Sequence, residues 1–163
     1  MAFRYSSRLF NVFLNGVKTE LANGVIHFYT GAQPSSPDAA PTGTYLGSAS
    51  KSGAAWAAGT ATNGIEFGTV DNAAVDKAAA EEWKFVCSTA GTIGWGRFIA
   101  NTTAGSGSLS SADVGGADST ETFPRIDFSV GVTSGDCLMS KVTYAVGETG
   151  VIQSFNIALS NIS

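Results

Sequence analysis

The hydrophobic period of this chain changes once, at Asn23-Gly24, and that change limits what it can fold into. Before it, Leu9, Phe13, Val17 and Leu21 recur every four residues, with Phe10 and Leu14 widening the stripe. This spacing predicts one amphipathic helix over 5–22. Ser6 or Ser7 can cap its start, and Asn23-Gly24 offers a left-handed stop. After Gly24 the period is two. Ile26 and Phe28 alternate with Val25, His27 and Tyr29; Ile65 and Phe67 begin a second strand; Trp83, Phe85 and Cys87 mark a third. Further alternations run through Ile93, Trp95, Arg97 and Ile99, and through Ile126, Phe128, Val130 and Val132. Val142, Tyr144 and Val146, then Phe155, Ile157 and Leu159, close the series. At least seven short strands separated by Gly, Asn and Ser turns predict a mainly β chain, an antiparallel β-sandwich of jelly-roll type with one N-terminal α-helix. We read one folding unit, with a helical arm over 1–23 and the sandwich over 24–163.

Three stretches read as long loops: Gln33–Pro41, with three of the four prolines; Ser48–Gly64, nearly all small residues around Trp56; and Asn101–Thr122, rich in Gly, Ser and Asp. Charged residues make up 13% of the 163, roughly half the usual share. So little charge suits a protein that lives packed against partners. The net charge of −4 and the scattered cations argue against nucleic acid, whose binding needs clustered Lys and Arg. No apolar run approaches the roughly 20 residues of a membrane span, and no secretion signal is read at Met1–Asn15. Cys87 and Cys137 fit no Cys-x-x-Cys motif; two reduced core thiols are the simplest reading, with a bridge between them or to a neighbour as alternatives.

Candidates for chemistry are few. The lone histidine, His27, lies within a strand and has no visible partner for base catalysis or metal binding. Dispersed carboxylates could form a hydrolytic pair, but no spacing singles one out. Asp113 and Asp118 lack the EF-hand spacing for calcium. Gly91–Gly96 lacks the Gly-Lys-Ser/Thr ending of a phosphate loop, and no nucleophile elbow occurs. The sequence reads as no enzyme, with no cofactor and no metal. The residues that invite contact are large and apolar: Phe3, Tyr5, Leu9, Phe10 and Phe13 at the start, and Trp56 in its small-residue loop, where it could fill a subunit pocket, stack on a sugar or fold back on its own core.

Four stretches resemble small structural proteins of tailed bacteriophages. Tyr29-Thr30-Gly31-Ala32-Gln33-Pro34, followed by Thr42-Gly43-Thr44, is similar to a Tyr-Thr-Gly, Gln-Pro, Thr-Gly-Thr segment of that family. Gly91–Phe98 resembles its Gly-Thr-x-Gly-Trp-x-Arg-Phe strand, Arg125–Gly131 its Arg-Ile-Asp-x-Ser-Val-Gly strand, and Ser154–Leu159 its closing strand. Lys77 and Trp83 fall where the family places a Lys followed by a Trp; Gly96 stands where a bulky aromatic is common. The resemblance implies a virion protein without enzyme activity, assembled in the host cytoplasm. It would be a trimeric capsid decoration (cement) protein or a ring-forming neck collar, partnered by itself and by other head or neck proteins. The alternative is a carbohydrate- or receptor-binding sandwich of a phage particle.

Overall fold

The computed structural model describes residues 4–101 and 123–160. Phe3, Asp113 and Asp118 lie outside these residues. The helix α1 spans Ser7–Glu20. Ser6 caps it, its hydroxyl accepting from the Leu9 backbone N–H at 3.3 Å, and Asn23 takes the left-handed conformation at φ +59° that ends the segment. The strands follow in order: β1 Val25–Tyr29, β2 Tyr45–Lys51, β3 Phe67–Asp71, β4 Ala74–Lys77, β5 Trp83–Cys87, β6 Gly91–Thr92, β7 Trp95–Ile99, β8 Arg125–Gly131, β9 Cys137–Met139, β10 Thr143–Tyr144 and β11 Thr149–Ala158.

Mainly β with one helix is therefore the class observed among the described residues, but the sheet closes on itself. The strands run β11–β5–β2–β1–β7–β8–β9, and β9 pairs back to β11, giving a closed seven-stranded barrel. Where a sandwich of two sheets was expected, the ring has no free lateral edge in this stretch. One pairing, β8 with β9, is parallel rather than antiparallel. The ten-residue β11 makes closure possible, because successive parts of it pair with β5, β9 and β4. The β3–β4 hairpin extends outward from it, and a small β6–β10 pair stands apart.

Ile26, Phe28, Leu46, Trp83, Phe85, Phe98, Phe128 and Phe155 fill the interior with edge-on and tilted ring contacts. Gly96 faces this interior. A Cβ there would press on the rings of Phe128 and Phe28, so neighbouring strands already occupy the space a bulky residue would take. The helix docks Leu14 and Leu21 into the same core, while Asn11 accepts from the Ala73 backbone N–H at 2.8 Å and Lys18 donates to the Gly68 carbonyl at 2.7 Å.

Several strand assignments change. Ser48–Lys51 belongs to β2, in the middle of the barrel, not to a loop. The strand expected from Ile93 to Ile99 breaks at Ile93-Gly94, so Ile93 enters the core while Trp95, Arg97 and Ile99 point outward. Val146 lies in an exposed turn, not a strand, because the Gly147 N–H turns back to the Cys87 carbonyl. Both cysteines are free and buried, and burial with the nearby Asp136 charge pushes the Cys137 thiol up to about 12.

Candidate functional site

The outer face of β2, β1, β7 and β8 carries two cross-strand rows of unusual composition. One is aromatic: Tyr45 pairs with Tyr29, and Tyr29 pairs with Trp95. The other is polar: Ser48 pairs with His27, His27 with Arg97, and Arg97 with Asp127. Directly opposed residues on one sheet face sit close enough to interact, so each row is a continuous strip of contacts.

A bulge aligns the aromatic row. His27 faces Ser48 and Phe28 faces Gly47, yet Tyr29 faces Tyr45, so Leu46 is the extra residue. Leu46 turns into the core and Tyr45 turns out. Gly47 permits this: its φ is +146°, and a Cβ would land on the Val86 carbonyl oxygen of β5. A regular strand would have put Leu46 on the outer face in place of Tyr45.

Arg97 and Asp127 form a buried, two-pronged ion pair. Nε donates to Oδ1 at 2.6 Å and Nη2 to Oδ2 at 2.8 Å, with side-chain exposures of 0% and 4%. The third arm, Nη1, donates to the Ala39 carbonyl at 2.8 Å and so ties the proline-rich 33–43 loop to the barrel. The guanidinium also lies 5.4 Å from the centre of the Trp95 ring, which stacks on Tyr29 at 4.6 Å. The Trp95 indole N–H is buried and has no hydrogen-bond partner among the described residues.

Two loops wall a cleft of about 610 Å³ over this face. Its floor is Val25, His27 and Tyr29 of β1 with Tyr45 and Ser48 of β2; Ala40, Pro41 and Gly43 form one side, Trp56 and Ala58 the other. Trp56 folds over its own barrel, packing against Val25 and Ile99, with its indole N–H donating to the Asn23 carbonyl at 3.0 Å. Asn101 anchors the same wall, accepting from the Gly59 N–H and donating to the Ala57 and Thr60 carbonyls.

His27 is held neutral. Burial, and secondarily the positive charge of Arg97, lowers its pKa to about 4. Its Nδ1 lies 3.4 Å from the Tyr29 hydroxyl, and its ring lies 4.9 Å from that of Tyr45. Burial in turn raises Tyr29 to about 12 and raises Tyr45. The floor is thus a set of uncharged rings and hydroxyls at neutral pH. Among the described residues no group of three metal-ligating side chains occurs, and no helix is long and apolar enough to cross a membrane.

The second candidate surface is the outer side of α1. Phe10 is buried, its ring edge-on to Tyr5. Tyr5, Leu9 and Phe13 remain 43%, 37% and 45% exposed, and Val12 joins them at 59%. The expected contact residues therefore divide: Phe10 and Trp56 are used by the fold, while Tyr5, Leu9 and Phe13 stay outward. Sequence reasoning did not find the Arg97–Asp127 pair or the cleft. The one signal for the pair was a charged residue at an alternating strand position among large apolar ones.

No family description, curated protein or solved structure matches this chain in comparisons of sequence and fold.

Proposed function

We propose that this chain is a structural component of a tailed-phage virion, an oligomer that stabilises the head or neck as a decoration or collar protein. The observation that carries the reading is the outer stripe of α1. The helix already has a docked face, yet Tyr5, Leu9, Val12 and Phe13 present a second apolar face at its start. Fully burying such a side chain is worth about 1.5–3 kcal/mol, so a partner helix or subunit covering this face gains several kcal/mol. The resemblance adds support: its Gly91–Phe98 and Arg125–Gly131 stretches fall on the paired strands β7 and β8, and Ser154–Leu159 falls on β11. The expected jelly-roll sandwich is part of the same reading.

Sedimentation analysis of the purified chain is the test. The native protein should be a trimer or larger ring, and the Leu9→Asp/Phe13→Asp variant should be monomeric with an unchanged circular dichroism spectrum. In a lysate containing particles, the native chain should sediment with them and stay bound at about 1 M salt, where charge is screened beyond about 3 Å. A native chain that is monomeric and absent from particles refutes the proposal.

A further inference from the structure

We propose that the cleft over β1 and β2 is a binding site for an uncharged sugar, stacked against the rings of Tyr45 and Trp56 and hydrogen-bonded by His27. The site is separate in its residues from the α1 stripe, so it goes beyond the assembly role and stands or falls without it.

Four observations select this ligand class. First, none of the lining residues carries a charge at neutral pH. A cation would meet Arg97, the cross-strand neighbour of His27, and an anion would find that guanidinium already committed to Asp127 and the Ala39 carbonyl. Second, an extended peptide has nothing to pair with on the floor. β1 is bonded on both sides, to β2 and β7, and β2 on both sides, to β1 and β5. Strand addition needs a free edge. Third, the Trp56 N–H is spent on the Asn23 carbonyl, so Trp56 offers the cleft ring surface rather than a donor. Fourth, apolar ring faces alternate with a few fixed polar atoms. The neutral His27 imidazole can donate or accept at Nε2, and Ser48 and Tyr45 place hydroxyls beside it. A pyranose has that same mixture, a C–H face with hydroxyls around its rim. The volume of about 610 Å³ lies within the range of small-molecule pockets.

The test is a printed array of neutral and acidic oligosaccharides probed with the full chain, followed by titration of the best neutral binder under tryptophan fluorescence. A decaproline peptide and trigalacturonate serve as controls. Neutral glycans should bind and perturb the tryptophan signal. Tyr45→Ala, at a residue 39% exposed and outside the core, should weaken binding about tenfold, the equivalent of one lost ring contact. Its lost contacts with His27 and Tyr29 should lower the unfolding temperature only modestly, with the circular dichroism spectrum kept. Conservative Tyr45→Phe should retain most of the affinity, which separates stacking from a hydroxyl effect. Preference for acidic glycans, binding of decaproline at the same residues, affinity indifferent to Tyr45→Ala, or no binding to any neutral glycan would each overturn the proposal.

Discussion

Removing the Asp127 carboxylate should be among the most damaging single changes in this barrel. Asp127→Ala deletes both charge-assisted bonds to Arg97, leaving a guanidinium with 0% exposure, one remaining hydrogen bond, to the Ala39 carbonyl, and the face of the Trp95 ring. Each bond to a charged group contributes about 1.5–3 kcal/mol, and breaking a buried pair while keeping one partner typically costs about 3–5 kcal/mol. We expect about 4 kcal/mol, a large share of the roughly 5–15 kcal/mol that stabilises a domain. For a chain of this size that corresponds to a fall in Tm of roughly 10 °C. Urea and thermal unfolding followed by circular dichroism measure both. The companion Arg97→Met/Asp127→Leu should recover most of the loss, because the penalty comes from an uncompensated buried charge and not from the missing attraction. The double variant would still lack the Ala39 tether, so its 33–43 loop should be more sensitive to protease than that of Asp127→Ala, which keeps Arg97 and its bond to the Ala39 carbonyl. A cost below about 1 kcal/mol for Asp127→Ala, or a double variant as unstable as the sum of its singles, would refute this reasoning.

Three further outcomes follow from the same face and core. The unfolded chain takes up a proton on His27 near pH 6.5 and the folded chain only near 4, so stability should fall as pH drops through that window. The His27-dependent part should be about 1–2 kcal/mol between pH 7.5 and pH 5, seen as a slope that His27→Gln lacks. Gly47→Ala should cost about 2 kcal/mol or more in urea unfolding, since both φ +146° and the Val86 carbonyl oppose a side chain; an unchanged midpoint would mean the bulge relaxes freely. Cys87 and Cys137 should resist an aromatic disulfide reagent at pH 8 until denaturant is added, and rapid labelling in the folded state would contradict their burial.

Local pattern settled the helix and most inward-facing strand residues. Leu21 of the four-residue stripe and Leu14 beside it, and Ile26, Phe28, Trp83, Phe85 and Phe128 of the alternating runs, enter the core, because periodicity is a property of a few adjacent residues. Leu9 and Phe13 of that stripe stay exposed, because the barrel reaches only the other side of the helix start. The strand β2 left no such trace: Gly47-Ser48-Ala49-Ser50 is short of large side chains, and only pairing with β1 and β5 makes it a strand. Closure of the barrel depends on β11 reaching β9 and β5, and the cleft depends on a bulge that turns Tyr45 outward. The Arg97–Asp127 pair joins residues 30 apart in sequence. Each of these arises from contacts between segments that loop closure must first bring together. The sequence by itself therefore determined which residues seek burial, whereas tertiary pairing determined which buried charges meet and which rings face the solvent.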